Sequence, residues 1–211
     1  FYDNNINGII HPFGYYLTSL HLWFLLNIYV YFQVLILLFF YFKNNPDNLF
    51  FNLLRKLLSY KFGIYIFLIP FFIEAVVVNP EYYAMYVKNI HGWVLGFICF
   101  FTGYIFVSLK EHFWSSIERI RFFALILAVI LFFNRICYIY FEFKNGLIAV
   151  ESFSWMIAIF AFAAKYINKP SKKLAYLNKA VYPVYILHMP LQFAFSLVIL
   201  PMETPVFLKL F

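Results

Sequence analysis

Residues 122–141 read F-F-A-L-I-L-A-V-I-L-F-F-N-R-I-C-Y-I-Y-F, and the only charged side chain among them is Arg135. A transmembrane helix needs about 20 mostly apolar residues, so this stretch is predicted to cross a membrane. Further stretches of similar character are Leu20 to Phe42, Phe62 to Val78, His91 to Leu109, Leu147 to Ile167 and Tyr182 to Leu200.

The composition agrees with a membrane protein. Hydrophobic residues make up 65% of the chain and charged residues 12%, whereas a soluble domain has about 45–50% apolar residues. The sequence shows no alternating strand pattern, and in lipid only helices and closed barrels satisfy their backbone hydrogen bonds. We therefore predict an all-α, polytopic bundle of six transmembrane helices that forms a single membrane domain over residues 1–211.

Lysine and arginine residues collect in alternate loops, which predicts the orientation. By the positive-inside rule, the basic loops 43–61, 110–121 and 168–181 are cytoplasmic, while Phe1 and the segment after Leu200 lie outside. This arrangement explains the formal charge of +7 without nucleic-acid binding, which we do not expect. The chain lacks an initiator methionine and turns apolar again after Pro201, so we expect a piece truncated at both ends.

One cytoplasmic loop is predicted to contain a short helix. Residues 47–61 read D-N-L-F-F-N-L-L-R-K-L-L-S-Y-K, in which Arg55 and Lys56 interrupt leucines and phenylalanines at helical spacing. Such a pattern is typical of an amphipathic helix on the membrane surface. The apolar positions are Leu49, Phe50, Leu53, Leu54, Leu57 and Leu58.

Four ionisable residues are predicted near the outer ends of the spans. Charged residues inside a membrane segment usually face the bundle or a cavity and require a partner. Arg135 is expected to pair with Glu74, Glu151 or Glu142 as a helix-joining ion pair, to snorkel to the outer interface, or to contact a substrate. Either Glu74 or Glu151 could instead be high enough to be hydrated. A charged outer cavity would suit an anionic or hydroxyl-rich acceptor.

The last span carries a polar stripe near its inner end. Tyr185, His188, Gln192 and Ser196 are three and four residues apart, so they share one helical face. Pro190 cannot donate to the carbonyl four residues earlier, which predicts an unoccupied acceptor near His188 and a kink. His188 is interpreted either as an interhelical hydrogen bonder or as part of a cavity wall.

The remaining histidines give no sign of a metal site. Three of them lie near span ends, where aromatic neighbours usually mark the membrane interface: His21, His91 and His112 beside Trp23, Trp93 and Trp114. Their spacing matches no metal-binding pattern. We therefore expect no metal cofactor.

Several runs resemble the membrane acyltransferase-3 family, and most closely the subgroup that decorates glucans and other polysaccharides. They are L-H-L-W-F-L-L-N-I-Y at 20–29, G-W-V-L-G-F-I-C-F-F-T-G-Y at 92–104, S-W-M-I-A at 154–158 and A-V-Y-P-V-Y-I-L-H-M-P at 180–190. Their order and orientation agree along nearly the whole chain.

The resemblance implies a multi-pass enzyme of the bacterial inner membrane. It would move an acyl group, acetyl or succinyl, from cytoplasmic acyl-CoA to a saccharide or glucan acceptor on the outer side. The family's first helix, whose arginine and histidine are considered central to activity, has no counterpart here. This chain alone is therefore expected to lack the catalytic base.

The resemblance also suggests roles for particular residues. His188 would have a supporting catalytic role in the wall of the donor cavity, together with Tyr185 and Gln192. On the acceptor side, the residues expected to contact substrate are Arg135, Glu74 and Glu151. In the run 20–29, they are His21 and Trp23.

Two other functions fit the same residues. In a polysaccharide or lipid transporter or flippase, the polar stripe and the proline kink would line a translocation path. In a non-enzymatic membrane module, the intramembrane charges would only hold the helices together.

Overall fold

The computed structural model describes residues 23–84, 86, 89–137, 145–169 and 171–199. Regular structure in these ranges is entirely helical, which confirms the all-α prediction. The α-helices are α1 (Trp23–Asn44), α2 (Leu49–Ser59), α3 (Leu68–Val77), α4 (Ile90–Leu109), α5 (Glu111–Cys137), α6 (Asn145–Phe162) and α7 (Lys172–Ile199); a 3₁₀-helix, Gly63–Phe67, precedes α3, and a π-helical segment, Ala163–Ile167, follows α6.

Five of the described helices are long and apolar enough to span a membrane: α1, α4, α5, α7, and α6 with its π-helical segment. The predicted span Phe62 to Val78 is shorter, because it consists of the 3₁₀-helix and α3 over Gly63–Val77. Pro70 lies in the first turn of α3. Because proline has no backbone N–H, it cannot donate an α-helical hydrogen bond to the carbonyl four residues earlier. The chain is thus a multi-pass membrane protein with one abbreviated element.

The chain divides into two compact units, and α7 is the described helix of the smaller one. The predicted loop 168–181 is wrong from residue 172 onward, because α7 begins there. The Ser171 hydroxyl accepts a hydrogen bond from the backbone N–H of Leu174 and caps the helix. The helix continues through Pro183 and Pro190.

Residues 24–168 form the larger unit, whose core includes α5 and α6. The predicted loop 110–121 is also wrong, because α5 starts at Glu111 and has three turns before the apolar stretch. Phe113, Ile117 and Ile120 are buried there, at the spacing of a single helix face. These turns combine a polar face with a core face, whereas only a basic loop was predicted from the sequence.

Helix α2 forms as predicted, with a different buried face. Asn48 caps it by accepting a hydrogen bond from the N–H of Phe51. Phe51, Leu54 and Leu58 are buried, whereas Leu49 is 84% exposed. Helix α5 binds the C-terminal end of α2, because the Arg119 guanidinium donates a hydrogen bond to the carbonyl of Ser59 at 2.6 Å.

Candidate functional site

Glu74 and His91 form a buried pair where α3 ends and α4 begins. His91 Nδ1 lies 2.6 Å from Glu74 Oε1, and each side chain is 1% exposed. Glu74 is in the last turn of α3, and His91 is the second residue of α4. The two helices contact each other, which brings these positions together.

The hydrogen-bond partners fix the charge of this pair. His91 Nε2 lies 3.0 Å from the carbonyl oxygen of Tyr83. Because a carbonyl only accepts, Nε2 carries a hydrogen, and a second proton is shared between Nδ1 and the Glu74 carboxylate. The pair is therefore neutral as a whole, which is what permits burial of both groups. Among the described residues, Glu74 Oε2 has no hydrogen-bond partner.

Two tyrosines of the α3–α4 connection pack on the His91 ring. The ring centroids of Tyr83 and Tyr86 lie 4.8 Å and 5.4 Å from that of His91. Burial, followed by the nearby Glu74 charge, raises the pKa of Tyr83 well above its ordinary value. Burial also raises the pKa of Tyr86. Both hydroxyls are therefore neutral at physiological pH.

The α3–α4 connection is fastened at both of its ends. Asn89 caps α4 by accepting a hydrogen bond from the N–H of Gly92 at 2.6 Å. At the other end, the Asn145 side chain donates to Asn79 Oδ1 at 3.0 Å and to the Pro80 carbonyl at 2.9 Å. Asn79 has φ 43°, a left-handed conformation that asparagine adopts more readily than most residues. The connection is thus bound to α4 and α6.

A pocket of about 490 Å³ lies beside this connection, and His91 forms part of its wall. Its other polar lining residues are Glu81, Tyr82 and Asn89. Carboxylate, hydroxyl and amide groups around a phenol ring are suited to a hydroxyl-rich ligand, because they offer both donors and acceptors.

Arg135 and Glu151 form a second pair, which joins α5 to α6. The guanidinium makes two hydrogen bonds to the carboxylate, Nε to Oε2 at 2.9 Å and Nη2 to Oε1 at 3.0 Å. The Arg135 side chain is 42% exposed and that of Glu151 only 5%. Arg135 also lies over the Phe132 ring, 5.4 Å from its centroid. A fork-to-fork pair of this kind has a fixed geometry and fastens the two helices.

The polar stripe of α7 lies on a continuous helix. The imidazole Nδ1 of His188 lies 2.5 Å from the carbonyl of Tyr185, to which it must donate, and the two rings are 5.6 Å apart. The Ser196 hydroxyl donates to the Gln192 carbonyl at 2.8 Å. His188 thus donates to the carbonyl of Tyr185. The unoccupied acceptor expected from Pro190 stays a prediction.

The structure arranges the predicted outer residues as two pairs between neighbouring helices. Arg135 was expected to bind one of three glutamates, and it binds Glu151. Glu74 and Glu151 are both buried, so neither is hydrated as the alternative interpretation proposed. His21 and Glu142 lie outside the described residues, and Trp23 is the first residue of α1.

Four residues of the site were not selected from the sequence: His91 as the partner of Glu74, and Glu81, Tyr82 and Asn89 of the pocket. A signal for His91 was present. Glu74 lies near the end of one predicted span and His91 at the start of the next, so the predicted spans could have indicated that the two side chains are close.

The fold and these two pairs define a class, the polytopic α-helical membrane proteins with ionisable groups buried between helices. In comparisons with known proteins, no protein family, curated protein or solved structure matches this chain.

Proposed function

We propose that this chain belongs to a membrane O-acyltransferase. In this proposal, an acetyl or succinyl group moves from cytoplasmic acyl-CoA to a saccharide acceptor on the outer side of a bacterial inner membrane. The observation that carries the proposal is the pocket beside the α3–α4 connection, lined by Glu81, Tyr82, Asn89 and His91. The signature-like runs at 20–29 and 180–190 support it.

The pocket would serve as the acceptor site. A saccharide presents hydroxyls that both donate and accept, together with an apolar ring face that stacks on aromatic side chains. Glu81 and Asn89 would bind hydroxyls, and Tyr82 would provide the aromatic surface. The Glu74–His91 pair, which is neutral as a whole, would hold the pocket wall in position without giving it a net charge.

In the transfer, the acceptor hydroxyl attacks the thioester carbonyl. A C–O bond forms, the C–S bond breaks, and the hydroxyl proton passes through a base to the departing CoA thiolate. His91 does not act as this base, because Nε2 bears a hydrogen held by the Tyr83 carbonyl. In this proposal the base would be the histidine of the family's first helix, and His188 would support the donor side with Tyr185 and Gln192.

The test is acyl transfer by the purified protein expressed from its complete reading frame. Radiolabelled acetyl-CoA or succinyl-CoA is supplied with and without a glucan acceptor. We expect labelled glucan together with release of CoA. The enzyme proposal is overturned if neither donor is transferred or hydrolysed.

The acceptor site is tested separately with Tyr82→Ala and Glu81→Gln. We expect each substitution to raise KM for the saccharide about ten-fold while KM for acyl-CoA stays unchanged, since one lost contact of about 1.4 kcal/mol has that effect. Tyr60→Ala is the matched control, because Tyr60 and Tyr82 are 59% and 62% exposed and Tyr60 lies away from the pocket. Equal effects of Tyr82→Ala on both KM values would contradict the assignment.

A further inference from the structure

A second and larger cavity runs between α1 and α4, on the larger unit. Its volume is about 1040 Å³. The Phe39 and Tyr104 rings stack at 3.9 Å within its wall, and Phe100 lies 6.0 Å from Phe39. Phe40 and Val107 also line it, and they are 65% and 77% exposed, so the cavity is a groove that opens at the side of the unit.

Gly103 makes the groove deeper. It lies on α4 among the lining residues, and a Cβ placed there would meet no atom within 4 Å. No neighbouring side chain of the described residues therefore fills the space next to this backbone. Gly96, about two turns earlier on the same helix, differs because its position is packed against the Tyr31 side chain.

One end of the groove is positively charged. Lys43, in the last turn of α1, and Lys110, between α4 and α5, both line it. Lys110 has φ 49°, a conformation in which glycine would be less strained. A strained non-glycine residue at the mouth of a cavity suggests that its side chain is used there.

We infer that this groove binds one anionic glycerophospholipid. Its acyl chains would lie against Phe39, Phe100 and Tyr104, and its phosphate would lie beside the ammonium groups of Lys43 and Lys110. The apolar groove with cationic side chains at one end matches the two chemical parts of such a lipid. A groove of about 1040 Å³, near the upper end of the usual range of about 300–1,000 Å³, has room for long chains. This inference does not depend on the proposed acyl transfer.

The experiment is native mass spectrometry of the purified, delipidated chain in detergent. Phosphatidylglycerol and phosphatidylcholine with identical acyl chains are titrated in competition. We expect one phosphatidylglycerol molecule to be retained at least ten-fold better than phosphatidylcholine. Equal retention of the two lipids would overturn the inference, because the groove would then hold lipid without recognising its charge.

Two sets of variants locate the site. Lys43→Gln and Lys110→Gln should each lower the preference for phosphatidylglycerol about five-fold, whereas Lys61→Gln, a basic residue outside the groove, should leave it unchanged. Gly103→Phe should fill the groove and reduce retention of both lipids about ten-fold. Ile126→Phe, on an exposed face of α5, is its control.

The folded state of each variant is checked by its thermal unfolding temperature in the same detergent. A variant that does not fold is replaced by Val107→Phe, which alters the groove from its exposed rim. Unchanged lipid retention in a folded Gly103→Phe or Val107→Phe protein would overturn the inference. A dimer that excludes lipid from the groove would overturn it as well.

Discussion

Two buried carboxylates among the described residues of the larger unit are neutralised in different ways. Glu74 pairs with His91, and both side chains are 1% exposed; Glu151 pairs with Arg135, of which 42% is exposed. Histidine can give up its charge, so a histidine–glutamate pair can be enclosed on all sides as a neutral unit. Arginine stays charged, and its pair retains one solvated or interfacial edge.

Removal of Glu74 should have the largest effect on stability. Glu74→Ala leaves His91 buried with a lost partner, and breaking a buried pair in this way costs about 3–5 kcal/mol. We expect a strongly lowered unfolding temperature in detergent. Glu111→Ala is the control, because Glu111 is exposed at the start of α5 and should cost about 1 kcal/mol or less.

The double substitution Glu74→Leu with His91→Phe sharpens this test. Replacing both partners with apolar groups removes the unpaired buried group, so the double variant should be more stable than Glu74→Ala. An equal or larger loss in the double variant would show that the pair contributes through its shape and not through its charge balance.

Replacing Arg135 should lower the stability of the protein more than replacing Glu151. Arg135→Ala leaves Glu151, which is 5% exposed, without its two hydrogen bonds, at a cost of about 2–3 kcal/mol. Glu151→Gln retains a hydrogen-bond acceptor and leaves the exposed Arg135 free to reorient, so about 1 kcal/mol is expected. Chemical denaturation in mixed micelles measures both. Equal losses would mean that Glu151 is as well hydrated as Arg135.

Substitution of Gly92 is expected to disturb the connection that covers the Glu74–His91 pair. A Cβ at Gly92 would collide with the backbone carbonyl of Tyr86, whereas a Cβ at Gly103 meets nothing within 4 Å. Gly92→Ala should therefore cost about 1–3 kcal/mol by displacing the connection over His91. Gly103→Ala, in the same helix, should stabilise by up to about 1 kcal/mol. Thermal unfolding of the two variants, with opposite signs expected, is the measurement.

The smallest expected effect is a loss of stability at high pH, caused by Tyr83, which packs on the His91 ring. Burial raises the pKa of Tyr83 in the folded state, so the folded protein holds that proton more tightly than the unfolded chain does. Stability is then independent of this group below about pH 10, the unfolded pKa, and falls as the pH rises above it. Tyr83→Phe should flatten the decline in unfolding temperature between pH 10 and 11.5. Tyr60→Phe, at an exposed position, should not.

The sequence predicted most of what depends on hydrophobic length. The span Leu147 to Ile167 ends where the π-helical segment ends, and α4 begins one residue before the predicted His91. Pairing of Arg135 with a glutamate was one of the predicted outcomes, because a charged residue within an apolar stretch requires a partner. Periodicity cannot distinguish among Glu74, Glu142 and Glu151, since that choice depends on helix packing.

The sequence was less informative about which face of a helix is buried and which helices contact each other. In α2, Leu49 was assigned to the apolar face and is exposed, whereas Phe51 was not assigned and is buried. Seven of the eleven residues in this helix are apolar, so its rotation is fixed by contacts with α5 and not by the pattern. His91 was interpreted through its neighbour Trp93 as an interface residue. Its pairing with Glu74 depends on a helix–helix contact that no local pattern records.

The abbreviated element Gly63–Val77 has a consequence for the membrane itself. Five 3₁₀ residues and ten α-helical residues reach about 25 Å, at roughly 2.0 Å and 1.5 Å per residue. The hydrocarbon layer is about 30 Å thick, and a bilayer thins around an element that is too short for it. The layer is therefore expected to be thinnest beside α3, so a molecule crossing next to the pocket that His91 lines would meet the least hydrocarbon.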